Sequence, residues 1–432
     1  MSGAILRGRE SPMPPVRIIH MGLGAFHRSH LAWYTAHAGD SEQWGIAAYT
    51  GRSAGLADDL TAQDGLYTLV VRSPAGDEAE RIGSIVRAHP GTDIPSFLND
   101  VAAPETVIVS VTITEAAYAE DQTSLDRTLL ADAVGDDLAT ARPVTAIGRL
   151  VLGLEARRRA GSGALALVSC DNLPDNGGVL RRAVRTVAAG VAGLVGWIDA
   201  HVSFVSSSVD RITPRLSDEE ATELTQRYGD RAPVVAEPYS DWVIAGEFPA
   251  GRPRWEVAGA RFTDDLEPWE ARKLWLLNGA HTLLASLGRL RQHHTVSEAI
   301  ADAECLRAVD GYWDEACRHL PTELKLDEYR AALLDRFRNP RIRHLLAQIA
   351  VDAETKLRVR IAPVAERERR AGRSGDACAA VIAAWVTING RARDRSDVER
   401  AVASLSPALG ADAMFVDTVL EAARSLGDLT LG

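Results

Sequence analysis

The chain is expected to be an α/β protein, with an N-terminal Rossmann-type dinucleotide-binding domain followed by a mostly α-helical C-terminal domain. Three observations carry this. Short β-branched runs alternate with helical stretches early in the chain, as in a doubly wound parallel sheet. The first run, Val16-Arg-Ile-Ile-His20, leads into Gly22-Leu-Gly24 and then a helical stretch, 29–38. From about residue 268 onward the periodicity is almost wholly helical.

The elements follow in order. Residues 16–20 and 44–49 read as strands, and so does 67–72. The run 106–112 is rich in Val and Ile, the signature of a strand buried on both faces. A helix is expected over 144–160, then a strand over 164–169 that ends at Cys170-Asp-Asn-Leu-Pro. Later helices are expected near 297–318, 323–337, 341–353, 375–388, 396–404 and 411–425. The domains divide as 1–264, with 1–14 a loosely attached leader, and 265–432 as the helical substrate and catalytic domain.

The 432 residues are 25% charged and 46% hydrophobic, ordinary for a soluble enzyme. A net charge of -11 argues against a nucleic-acid partner. No stretch nears the roughly 18–20 apolar residues of a membrane span, and the leader lacks a signal-peptide core. A cytoplasmic protein with no membrane partner is expected. Cys170, Cys305, Cys317 and Cys378 have neither disulfide nor zinc spacing. His293-His294 has no carboxylate or cysteine spaced as a partner, so these read as surface or helix-end histidines and no metal is expected.

A strand, Gly22-x-Gly24 and a helix can hold a dinucleotide pyrophosphate: the glycines allow a tight turn and close backbone approach. His27 stands where the third glycine of the usual motif would be. The second strand ends Tyr49-Thr50-Gly51-Arg52. No acid is there for a ribose 2′-hydroxyl, and Arg52 could meet a 2′-phosphate or stay in solvent. NAD is the expected cofactor, with NADP left open.

The segment Lys273-Leu-Trp-Leu-Leu-Asn278-Gly-Ala-His281 is apolar on almost every side, as in a buried helix, yet carries three polar residues. At about 100° per residue Asn278 lies about 140° from Lys273 and His281 about 80° from it, all on one broad side. A buried lysine has a lowered pKa and is a base. Asn and His can bond a developing oxyanion. A core helix with three satisfied polar groups is the plain alternative.

Several segments together resemble one family, the polyol-specific long-chain dehydrogenases, which include mannitol 2-dehydrogenase, fructuronate reductase and tagaturonate reductase. They are Gly22-Leu-Gly-Ala-Phe-His-Arg28, Gln63-Asp-Gly-Leu-Tyr-Thr-Leu69, Thr112-Ile-Thr-Glu115, Ser169-Cys-Asp-Asn-Leu-Pro-Asp-Asn-Gly177, Val209-Asp-Arg-Ile-Thr-Pro214, Glu237-Pro-Tyr-Ser-Asp-Trp-Val-Ile244 and the Lys273 to His281 helix. The resemblance implies the two-domain fold already read, a metal-independent dehydrogenase and a monomer. It implies Lys273 as general acid–base, Asn172 and Asn278 as donors to the reacting oxygen, His281 as the residue that orients substrate, and Asp210 as a substrate contact. Gly22, Leu23, Gly24, Ala25, Phe26, His27 and Arg28 become the cofactor turn. Thr112 joins them, and Glu115 is either part of a proton path or a helix-start carboxylate.

The resemblance implies a small polyol or sugar acid as substrate. The pattern His344…Gln348…Lys356-Leu is similar to that of fructuronate reductases, which must hold a carboxylate. Lys356, Arg358 or Arg360 could supply the cation, since arginine binds a carboxylate bidentately; a basic helix end is the other reading. Ala353-Glu354-Thr355 departs from the expected turn. The best reading is D-fructuronate + NADH ⇌ D-mannonate + NAD. The alternatives are a mannitol or arabinitol dehydrogenase and, remotely, a non-catalytic nicotinamide sensor.

Overall fold

The computed structural model describes residue 9 and residues 12–51, 53–113, 115–133, 138–391 and 393–427. The chain forms two compact units, Met1–Leu266 and Glu267–Gly432.

The strands of the first unit are β1 Val16–Met21, β2 Gly45–Tyr49, β3 Tyr67–Ser73, β4 Gly76–Ile82, β5 Ile85–His89, β6 Ile108–Val111, β7 Leu165–Ser169, β8 Val202–Asp210, β9 Val234–Ala236, β10 Asp241–Ala245 and β11 Arg261–Phe262. Eight of them form one sheet in the order β11-β10-β8-β7-β6-β1-β2-β5. From β5 to β8 every pairing is parallel, and the order is the doubly wound 3-2-1-4-5-6 pattern. β10 pairs antiparallel with β8. A second sheet, β4-β3-β9, stands apart.

Alternation along β1 sorts its side chains to two cores. Ile18 joins a cluster with Leu31, Tyr34 and Trp242 on one side. Ile19 and Met21 join Phe97, Leu150 and Leu180 on the other. The doubly wound order places a switch point between β1 and β6, where ligands bind outside the strand ends. Gly22 and Thr112 stand at those ends.

The second unit is helical among its described residues. The helix expected over 297–318 is two, Val296–Ala301 and Ala303–Cys317, because the Asp302 carboxylate caps the second by accepting from Glu304 and Cys305 N–H. The stretch 341–353 holds just the short helix Leu346–Ile349. Helices Ala353–Arg360 and Ala362–Arg370 were not expected. The first of these buries a single residue, Leu357, and so leaves little apolar periodicity to read. No described helix is long and apolar enough to cross a membrane.

Candidate active site

The glycine turn fits a pyrophosphate. Gly22 has φ +106, and a Cβ there would overlap the Thr112 carbonyl oxygen, so no other residue suits the position. The Gly22 and Leu23 N–H groups both donate to Tyr49 O at 2.9 Å. Thr112 Oγ1 donates to Gly22 O at 2.9 Å. Gly24 then caps a five-residue helix, Ala25–Ser29. Within the motif, Phe26 stacks on His30. The buried Arg28 donates to Gly24 O and Ala232 O and lies over the Tyr67 ring. Its guanidinium therefore ties this helix to the loop before β9. Arg52 lies outside the described residues, and so does the side chain of Glu115, whose backbone opens a short 3-10 turn.

Beyond β7, Asn172 is exposed on a loop that its neighbours fix. Asp171 is buried and accepts from Ile113 N–H at 2.6 Å, from Ser169 Oγ at 3.2 Å and from the Tyr118 hydroxyl. Burial pushes its carboxyl up to about 6, against the pull of those hydrogen bonds. On the other side Asn176 Nδ2 donates to Asp171 O and Ser207 O, both at 2.7 Å. Asp171 and Asn176 were missed in the sequence; both lie in the Cys-Asp-Asn-Leu-Pro-Asp-Asn segment and look like turn residues there. Asp210 is buried at the end of β8, in register opposite Asp241. The neighbouring Arg211 reaches Ser29 O and Glu237 O.

In the second unit the Lys273 segment departs from an α-helix. Residues Lys273–Asn278 form a π turn, with the α-helix Gly279–Leu290 following. In a π turn residue i pairs with i+5. Lys273 and Asn278 are five apart, and the wider winding of a π turn brings them closer in angle than the about 140° of α geometry. Lys273 and Asn278 are half-buried, while Trp275, Leu276 and Leu277 are buried. The fully buried lysine expected from the sequence is thus corrected: one face of this helix is open.

A π turn spoils the normal carbonyl ladder, and side chains serve the carbonyls. Trp313 Nε1 donates to Leu276 O at 2.9 Å. Arg360 donates to Asn278 O at 3.3 Å and to Thr282 Oγ1 at 3.1 Å, while Thr282 donates to Asn278 O at 3.0 Å. A Cβ at Gly279 would run into the Tyr312 ring, so that residue's small size lets the helices approach.

His281 is buried against Phe337 and His344, with ring centroids 4.9 and 4.8 Å away. Its Nε2 has no hydrogen-bond partner among the described residues, nor has His344 Nδ1. Burial holds its pKa well below the usual value, helped by the nearby His344, Arg336 and Arg360. A neutral imidazole with a vacant nitrogen can orient a hydroxyl. Arg336 was not singled out in the sequence, where it resembles any surface arginine.

The remaining predicted residues separate. Gln348 is exposed. Lys356 Nζ donates to Ile349 O at 3.0 Å and Val351 O at 2.6 Å. Arg358 donates twice to Ser404 O. Of the three cations offered for a carboxylate, Arg360 alone bonds the π turn. His293 sits just past the end of the helix Gly279–Leu290, as a helix-end residue, and is half-buried: its Nε2 lies 3.0 Å from Asp302 Oδ2. Asp302 and Cys305 fold back to it, and ligand atoms of the three lie within 4.8 Å of one another. The carboxylate already takes Arg291 Nε at 2.7 Å and two backbone N–H groups. Its charge is met by the guanidinium and the helix start.

A doubly wound domain with a glycine turn, joined in sequence to a helical unit carrying lysine, asparagine and a neutral histidine on one helix, defines an oxidoreductase acting on CH–OH groups. The chain belongs to the mannitol dehydrogenase family: residues 16–257 match the mannitol dehydrogenase Rossmann domain and 265–420 the mannitol dehydrogenase C-terminal domain. It is 35% identical to D-mannonate oxidoreductase of Escherichia coli over 86% of this chain and 79% of that one. It is 40% identical to D-arabinitol 4-dehydrogenase of Ralstonia nicotianae over 80% of this chain and 77% of that one. The solved ternary complex of Pseudomonas fluorescens mannitol 2-dehydrogenase with NAD and D-mannitol superposes with a TM-score of 0.77, at 31% identity, over 97% of this chain and 93% of that one.

Proposed function

We propose that the chain is an NAD-dependent dehydrogenase that interconverts D-mannonate and D-fructuronate. The observation that carries the chemistry is the π turn that runs from Lys273 to Asn278, one helical turn from a neutral His281. Lys273 Nζ takes the hydroxyl proton at the carbon being oxidised and returns it in reduction. The Asn278 amide donates to the oxygen as charge develops on it, and the family resemblance implies the same role for Asn172. His281 Nε2 and Asp210 orient neighbouring hydroxyls. NAD held at the Gly22-Leu-Gly24 turn supplies the hydride acceptor. The kinship with a D-mannonate oxidoreductase supports the sugar acid. Arg336 and Arg360, whose charges reach His281, are the cations suited to its carboxylate.

A second reading is a neutral polyol such as D-arabinitol or D-mannitol. Lys356, Arg358 and Arg360 each bond a backbone carbonyl, which favours it, because cations so engaged have fewer N–H groups left for a carboxylate. The test is steady-state reduction of D-fructuronate, D-tagaturonate and D-fructose with NADH and NADPH. At least tenfold higher kcat/KM for D-fructuronate with NADH is expected. Preference for D-fructose would replace the sugar acid with the neutral polyol.

A further inference from the structure

The third residue of the glycine motif is His27, and its ring explains why no glycine is needed. His27 lies flat on His20 of β1, centroids 3.4 Å apart and planes 9° from parallel. In the usual motif the third glycine lets the helix approach the strand; here two imidazoles form that contact. Both are buried, at 0% and 1% exposure. Neither His27 nitrogen has a partner among the described residues, so this ring contributes its face.

His20 is bonded at both nitrogens. Nδ1 lies 2.9 Å from Ser110 Oγ and Nε2 3.0 Å from Thr112 Oγ1. The Thr112 hydroxyl proton goes to Gly22 O, which assigns the ring hydrogen to Nε2 and leaves Nδ1 to accept from Ser110, whose hydroxyl lies closer to that nitrogen than to its other acceptor, Ile19 O at 3.4 Å. Burial, first by desolvation, takes His20 down to about 3, so the ring stays neutral in that tautomer. The chain of bonds ends on one peptide unit. Its carbonyl, Gly22 O, accepts from Thr112 and its N–H, on Leu23, donates to Tyr49 O. That peptide enters the turn at Gly24.

We propose that His20 is a positioning residue for the cofactor: through Ser110, Thr112 and its stack with His27 it fixes the Gly22–Leu23 peptide that presents the turn to the NAD pyrophosphate. This rests on the reading that NAD binds at that turn.

The test is NADH affinity of the full chain, by fluorescence titration, in Ser110→Ala, Thr112→Val, His20→Phe and the double variant His20→Phe/Thr112→Val. Breaking the relay, at one of its hydrogen bonds in Ser110→Ala and at two in Thr112→Val and in His20→Phe, should raise Kd about fivefold in each single variant. The double variant should be no weaker than the worse single, because both act on one peptide. For Ser110→Ala and His20→Phe the loss should fall on KM for NAD, with kcat at saturating NAD falling less than about threefold. Kd values within twofold of the parent, or additive losses in the double variant, would overturn the proposal. Should His20→Phe fail to fold, Ser110→Ala and Thr112→Val decide it alone. A parent chain that does not bind NADH overturns the NAD reading itself; a parent that binds while the variants match it overturns this inference alone.

Discussion

Each unit holds a pair of neighbouring histidines, and the pairs are built in opposite ways. His20 and His27 are stacked flat and sealed, and the His20 nitrogens are bound to hydroxyls. His281 and His344 meet edge to face, with planes 76° apart, and each keeps a nitrogen without a partner among the described residues. The first pair acts on backbone that it never leaves. The second offers a donor or acceptor to something else. Burial keeps His20, His27 and His281 neutral, and both His27 nitrogens also lack a partner among the described residues, so what separates the pairs is the bonds His20 makes to the Ser110 and Thr112 hydroxyls.

If the second unit performs the proton chemistry, Lys273→Ala gives the largest loss. We expect kcat to fall by about 10² to 10⁴ while NADH Kd stays within about twofold, since a general acid–base is removed and the nucleotide contacts are not. Turnover within tenfold of the parent would break the division between the units. Asn278→Ala should follow, with kcat lower by about 10² to 10³ for one lost oxyanion donor. An effect on KM alone would make Asn278 a packing residue of the π turn.

The two histidine pairs should look alike in acid stability and differ in kinetics. A histidine whose folded pKa lies below its unfolded value binds fewer protons when folded. Stability therefore rises with pH across that gap and is lost as pH falls below about 6.5. Each such group contributes a slope of about 1.4 kcal/mol per pH unit within its window. His20, taken to about 3, spans nearly all of it. Asp171 runs the other way: its raised pKa makes its contribution present below the unfolded value and lost as pH rises towards about 6. Urea unfolding between pH 7.5 and 5 should show the midpoint falling with acid. His20→Phe and His281→Phe should each flatten that slope. In kinetics the first should act on cofactor affinity and the second on kcat. Identical kinetic signatures would erase the distinction drawn between the pairs.

Four strands of the large sheet, β1, β2, β6 and β7, could be read from sequence because they are apolar runs bounded by glycine or polar turns, whereas β5, β8, β10 and β11 of the same sheet were not read. β4 escaped notice: Gly-Asp-Glu-Ala-Glu-Arg-Ile is an exposed edge strand held by β3, and its own composition does not read as strand. The site residues Lys273, Asn278 and His281 stood out as polar intrusions in an apolar helix. Their alignment did not, because the π turn depends on Trp313 and Arg360 serving its carbonyls from distant segments. Asp171, Asn176 and Arg336 were lost for the same reason. A buried carboxylate that joins two strand ends is, in one dimension, just an aspartate in a turn. Asp302 was legible as a helix cap in Asp-Ala-Glu, yet the apolar period running past it suggested one continuous helix.

The smallest effects are expected from the two cations that already bond carbonyls. Lys356 holds Ile349 O and Val351 O, closing the end of the short helix Leu346–Ile349, and Arg358 holds Ser404 O. Removing either leaves carbonyls that water can reach, a loss of about 0.5–1.5 kcal/mol in stability for each hydrogen bond. Arg358→Ala should also lose little ion-pair energy, since its contact with Glu354 is half-exposed and 3.6 Å long. For both variants KM for a sugar acid should move less than about threefold while the thermal midpoint drops by a few degrees. Arg360→Ala should behave differently: it frees Asn278 O, unsettles the π turn and lowers kcat together with affinity for the acid. A tenfold rise in KM for D-fructuronate in Lys356→Ala, with the neutral ketose unaffected, would show that this lysine exchanges its carbonyls for the substrate carboxylate, and would move carboxylate recognition from Arg336 and Arg360 to Lys356.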